Sequence, residues 1–192
     1  MAMQVEQFVM AYGVEHDRLR ALLPEGYTSL RPVLRINAEI RDGSRAYVEL
    51  NTASEHDGKR GWLNIACWED VPFSQDGKTT VFDPDFLTLR FTRVGIEGGC
   101  PAEKDNGGCF FPAQGKLRPS ETITEHKEFC NCEFAWKFAP GDAHGVGLGK
   151  TLPAAPSEVK TVYPKQALTA ESAAKIPCEQ VLGTYAVRFS RA

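Results

Sequence analysis

The sequence predicts an α+β fold, mainly antiparallel β, built on a curved sheet or barrel with a few short helices. Three observations predict it. Residues 33–40 and 46–52 alternate apolar with polar on either side of an Asp42-Gly43 turn signal. Residues 129–138 alternate again, with Cys130, Cys132, Phe134, Trp136 and Phe138 set against Asn131, Glu133 and Lys137. Helical spacing is confined to short windows, too few to cover a parallel sheet.

The elements follow in chain order. Residues 15–23 read as a short helix, with Leu19, Leu22 and Leu23 on one face, Glu15 and Asp17 at its positive end, and Pro24 stopping it. In the first strand pair, Leu34, Ile36, Ala38 and Ile40 form one face of 33–40, and Ala46, Val48 and Leu50 form one face of 46–52. Matching the apolar faces pairs Ile40 with Ala46 and Ala38 with Val48, which sets Asn37 opposite Glu49 and Arg35 opposite Asn51. Asp57-Gly58 is a further turn, and residues 61–68 read as a third strand. A loop carrying Pro72, Asp76 and Gly77 precedes a strand over 86–96. Gly/Pro-rich stretches at 97–119 and 139–157 read as loops, the first long enough to be a lid, a binding loop or an insertion. A strand at 158–163, a helix near 169–176 and a strand at 180–189 complete the reading, with no internal repeat.

Length and composition narrow the function classes. A chain of 192 residues that is 42% hydrophobic is one domain, 1–192, with a full core. A formal net charge of −3 is too balanced for a nucleic-acid binder. The start, Met1-Ala2-Met3-Gln4-Val5-Glu6-Gln7, lacks a basic, apolar export pattern. No stretch reaches the ~18 apolar residues of a membrane span. The expectation is a soluble cytoplasmic protein with no nucleic-acid or membrane partner, compatible with a homo-oligomer.

Two constellations suggest chemistry and are read down. His144-Gly145-Val146-Gly147-Leu148-Gly149-Lys150-Thr151 resembles a phosphate loop, but His144 stands where that loop needs glycine, and Pro153 interrupts the helix that should follow. The six cysteines contain no Cys-x-x-Cys pair. His126, Cys130 and Cys132, completed by Cys100 and Cys109, are one candidate zinc set. The competing reading is favoured: Cys130 and Cys132 share a strand face with Phe134 and Trp136 and pack there as small apolar groups, with no metal. Cys100 and Cys109 are either free thiols or a redox-dependent pair.

The polar face of the first hairpin carries Arg35, Asn37, Glu39, Tyr47, Glu49 and Asn51. On an open sheet it is the solvated side. In a barrel it lines the lumen, and its polar groups then need partners. Periodicity alone leaves both open.

Two segments carry a family likeness. One runs from Tyr12 through Leu22-Leu23-Pro24-Glu25-Gly26; the other is Ala46-Tyr47-Val48-Glu49-Leu50-Asn51 followed by Gly61-Trp62-Leu63-Asn64-Ile65-Ala66-Cys67-Trp68-Glu69-Asp70. Together they resemble the acetoacetate decarboxylase-like superfamily over residues 8–70, roughly a third of the chain. The resemblance implies a β-barrel of antiparallel strands with a few short flanking helices around a central cavity. It also implies decarboxylation through a buried lysine that forms a Schiff base with a keto acid. That lysine belongs to a glycine–arginine–glutamate … proline–lysine–lysine motif, which is absent after Asp70, where the chain reads Val71-Pro72-Phe73-Ser74-Gln75-Asp76-Gly77-Lys78. Lys78 falls in a turn where it is solvated. Tyr163-Pro164-Lys165 comes too late, and Gln166 replaces the second lysine. The family's carboxylate-holding arginine would fall near Gly13, and one of its two glutamates near Asn37, with Glu39 close by; the other is retained as Glu49.

The expected function is therefore a small-molecule-binding barrel for an organic acid or carbonyl compound, without acetoacetate decarboxylation and without a cofactor. The alternative is a lyase of the same superfamily acting on a small oxo acid through another lysine, or through none. The candidate ligand-binding residues are Glu49, Arg35, Asn37 and Asn51. Glu49 is expected to point inward and to pair with a cation such as Arg35 or to be perturbed by burial.

Overall fold

The computed structural model describes residues 1–98, 109–112, 116, 118–119, 126–149 and 157–192. In chain order the elements are β1 (Met3–Gly13), α1 (His16–Leu22), β2 (Thr28–Arg41), β3 (Arg45–His56), β4 (Lys59–Glu69), β5 (Phe73–Asp76) and β6 (Thr79–Phe82). They continue with β7 (Leu87–Gly98), β8 (Cys109–Phe111), β9 (Arg118–Pro119), β10 (Lys127–Trp136), β11 (His144–Gly147), α2 (Ala170–Ala174) and β12 (Gln180–Arg191). All twelve strands join one sheet in the order β5-β6-β7-β10-β12-β1-β2-β3-β4-β8-β9, with β11 beside β10. Each pairing is antiparallel except β4 with β8.

The first hairpin has the register that matching apolar faces requires: Ile40 opposite Ala46, Ala38 opposite Val48, Asn37 opposite Glu49 and Arg35 opposite Asn51. Its turn holds Asp42 and Gly43 at positive φ. The next turn is Asp57-Gly58, both at positive φ, the two-residue geometry whose twist suits paired strands. A large core of buried apolar side chains covers one face of the sheet, including Phe8, Met10, Ile36, Ala38, Val48, Phe91 and Phe134. The middle of the other face is also buried. Val5, Val9, Tyr185, Val187 and Phe189 cluster there, beside the polar side chains of β2 and β3.

Several expectations need correction. The sheet is not closed among the described residues, since no pairing joins β5 to β9, so the expected barrel is an open, mostly antiparallel sheet with both faces covered. The stretches read as loops contain strands β8, β9 and β11, and the loop read around Pro72, Asp76 and Gly77 holds β5 and leads into its hairpin partner β6. Most of the remaining residues of 97–119 and 139–157 lie outside the described set. The expected strand at 158–163 is extended chain with no ladder partner among the described residues. It straps α1 through side-chain contacts: Asp17 accepts from the Lys160 and Thr161 amides at 2.9 and 2.8 Å, and Tyr163 donates to Glu15 at 2.6 Å. β1, unread in the sequence, lies between β2 and β12.

The alternating glycines of the false phosphate loop have a packing reason. A Cβ on Gly145 would meet Cys178 Sγ at 2.9 Å and Phe134 at 3.0 Å; on Gly147 it would meet Val181 at 3.1 Å; on Gly149 it would fall 1.1 Å from the Leu182 carbonyl oxygen. This stretch lies against β12, and only glycine admits the approach.

Candidate ligand-binding site

Successive strands place a continuous row across the second face. Phe129, Tyr185, Val9, Asn37, Glu49 and Cys67 are Cα partners in turn on β10, β12, β1, β2, β3 and β4. A neighbouring row carries Val187, Gln7, Glu39, Tyr47 and Glu69. A third carries Ala11, Arg35, Asn51 and Asn64. The middle of this face is polar yet closed from solvent: Asn51 is 0% exposed, Asn37 4% and Glu49 8%. The solvated alternative for the hairpin face is thereby excluded at these three positions.

Glu49 is the centre of a hydrogen-bond network. Its Oε1 accepts from Asn37 Nδ2 at 3.0 Å and from Asn51 Nδ2 at 3.1 Å; its Oε2 accepts from the Tyr47 hydroxyl at 2.7 Å. Burial first, and the adjacent Glu49 carboxylate second, raise the Tyr47 hydroxyl well above the ordinary phenol range, so it stays a donor. Asn51 in turn accepts from Asn64 Nδ2 at 3.0 Å. Asn64 sits where the β3–β4 register shifts, and its amide also covers the Ala66 carbonyl at 3.2 Å.

The expected Glu49–Arg35 ion pair is not the arrangement found. Arg35 stands opposite Asn51, but its guanidinium lies over the Trp62 ring, 4.7 Å from the centroid. Among the described residues the donors to Glu49 are neutral, two amides and a phenol in place of a cation. The buried carboxylate that is ion-paired on this face is Glu39. Arg191 grips it with two bonds of 2.8 and 2.9 Å, and Arg41 adds one of 2.9 Å. Burial pushes the Glu39 carboxyl up, but the two guanidinium groups outweigh it and hold it below the usual range.

Three contributors escaped sequence reading. Gln7 belongs to the unread β1, and its Nε2 faces Glu39 Oε1 at 3.4 Å. Asn64 lies within residues 61–68, whose reading as a strand gives its side chain no role. Lys127 is buried, 6% exposed, with Nζ 4.7 Å from the centre of the Tyr185 ring, on the strand that brings Phe129 into the first row. Its position two residues before the predicted strand hid it. Lys78, by contrast, is exposed in the β5–β6 turn as expected.

The cysteines follow the packing reading. Cys130 and Cys132 lie in the main core with Phe134 and Trp136, and burial pushes the Cys130 thiol up to about 12. His126 is on the surface, 3.8 Å from Glu97. Among the described residues no group of three His, Cys, Asp or Glu could hold a metal. Cys100 and the Cys109 side chain lie outside the described residues. Also among the described residues, no helix is long and apolar enough to cross a membrane.

No family model matches the sequence, and no curated protein does. Solved structures do. The enduracididine biosynthesis enzyme MppR, complexed with pyruvate, matches with a TM-score of 0.56 at 11% identity over 98% of this chain and 86% of that one. Acetoacetate decarboxylase from Legionella pneumophila subsp. pneumophila matches with 0.54 at 12% identity over 100% and 86%. Another acetoacetate decarboxylase structure matches with 0.56 at 11% identity over 100% and 88%. At such identities the likeness is one of fold, and the chain has the acetoacetate decarboxylase-like fold.

Proposed function

We propose that this chain binds a small organic acid or carbonyl compound at the Asn37–Glu49–Asn51 patch, without decarboxylating acetoacetate. The observation that carries the reading is the buried Glu49 carboxylate held by three neutral donors on a covered sheet face. A carboxylate is buried at little cost only where hydrogen bonds hold its charge, and a few convergent polar groups set into an otherwise apolar, covered surface are the usual make-up of a small-molecule site. The MppR structure of the same fold carries pyruvate, which supports a ligand of this size and class.

The test is a ligand-observed NMR titration with acetoacetate, pyruvate and lactate. At least one binds, and Glu49→Gln weakens it about tenfold, because a glutamine amide cannot accept from Asn37, Asn51 and Tyr47 together. Unchanged binding in the variant would remove Glu49 from the site. Acetoacetate releases carbon dioxide no faster with the protein than without it.

Lys127 favours a second reading, a lyase. A buried amine can add to a keto carbon and lose water to give an imine, which accepts the electron pair left by departing carbon dioxide. Borohydride reduction with pyruvate present would then leave a secondary amine on Lys127, seen as added mass that Lys127→Met abolishes.

A further inference from the structure

Among the described residues, three buried side-chain polar atoms have no hydrogen-bond partner: Gln7 Oε1, Asn37 Oδ1 and Ser54 Oγ. The first two are neighbours. Gln7 pairs with Glu39 across β1 and β2, and Asn37 is two residues along β2, opposite Val9. The two side chains are therefore diagonal on one face, within reach of a single small molecule. Both residues are 4% exposed. The orientation of each amide is set by chemistry, because each nitrogen faces a carboxylate: Gln7 Nε2 faces Glu39, and Asn37 Nδ2 donates to Glu49. Turning either amide over would point its oxygen at an anion. The two carbonyl oxygens are thus fixed as acceptors with nothing to accept.

Nearly all buried polar atoms in folded proteins are paired, and an orphan acceptor costs stability. Two orphans side by side, next to a carboxylate that already has its donors, describe an acceptor-lined subsite. Resting on the proposed binding function, we infer that the ligand presents hydrogen-bond donors here: it is a hydroxylated small acid or carbonyl compound, with hydroxyl groups donating to Gln7 Oε1 and Asn37 Oδ1. A plain oxo acid such as pyruvate has no donor to offer either atom.

Pyruvate, lactate and glycerate test this, since they share three carbons and a carboxylate and carry no, one and two hydroxyl groups. Titration of the full chain should show affinity rising along that series, by about tenfold from pyruvate to glycerate. Gln7→Met keeps the side chain's length and removes the acceptor, while Glu39 retains its arginines. In this variant glycerate should lose its advantage over lactate, and the melting temperature should hold or rise as an unpaired buried acceptor disappears. Pyruvate binding as well as glycerate would overturn the inference and leave the binding function standing. So would a hydroxyl preference that Gln7→Met does not change. Binding of none of the three would overturn the inference, and if acetoacetate also fails to bind, the binding function falls with it.

Discussion

Glu39 and Glu49 stand diagonally on the paired strands β2 and β3, on one sheet face, and are stabilised by opposite means. Glu39 is gripped by the Arg191 and Arg41 guanidinium groups, whereas Glu49 is surrounded by neutral donors. The consequence for Glu39 can be measured. Its folded-state carboxyl lies below the ordinary range, so the folded protein holds it ionised where the unfolded chain has begun to take up a proton. Its contribution to stability is present above the ordinary carboxylate range near pH 4 and is lost as pH falls through the lower, folded value. Arg191→Met keeps the apolar stem and removes the grip. At neutral pH it should cost about 2 kcal/mol, with the gap to the natural protein narrowing in urea melts as pH falls below the ordinary carboxylate range. A gap constant across that range would show that the arginine acts through packing alone.

At the scale of elements, the strands that were legible have one buried face of a single kind. β2 and β3 alternate apolar with polar, so period and register could both be read, and Asn37, Glu49, Arg35 and Asn51 came with them. β1 has both faces covered by apolar side chains, with Phe8, Met10 and Tyr12 on one and Val5 and Val9 on the other. Its run Phe8-Val9-Met10-Ala11-Tyr12 therefore has no period to detect. Gln7 stayed hidden with it, and so did half of the acceptor pair. Residues 158–163 fail in the opposite sense: the residues have strand character, but Val159 and Val162 are exposed and α1 supplies side chains rather than a ladder. The glycines at 145, 147 and 149 suggested a phosphate loop because spacing was visible and the neighbour was not. Their role in packing on β12 predicts that Gly149→Ala, with its Cβ driven into the Leu182 carbonyl, costs at least about 3 kcal/mol. An unchanged denaturation midpoint would mean that the contact with β12 is dispensable.

Across the whole molecule, the decisive feature is the place of β12. It lies between β10 and β1, so the last strand in sequence joins the sheet's two blocks, β5-β6-β7-β10-β11 and β1-β2-β3-β4-β8-β9. The first block was legible only in pieces, because its pairing to the second runs through residues at opposite ends of the chain, such as Val5 with Phe189. No local pattern encodes a contact of that separation, and closing it is entropically slow and costly. β12 also buries Val181, Leu182, Tyr185, Val187 and Phe189. At about 1.5–3 kcal/mol for each large apolar side chain, their loss is comparable to the whole stability of an ordinary domain. The site depends on the same strand, since Tyr185 and Val187 continue the rows that hold Asn37 and Gln7, and Arg191 holds Glu39. A chain ending at Glu179 should therefore lose its cooperative thermal transition and the binding measured for the full chain. The β2–β3–β4 meander keeps its tight turns in that truncation, yet Val9 and Gln7 would face water instead of β12, so residual strand signal in circular dichroism is expected without a sharp melt. A truncated chain that melts cooperatively near the full chain's midpoint would show that the two blocks are stable separately and that β12 only docks them.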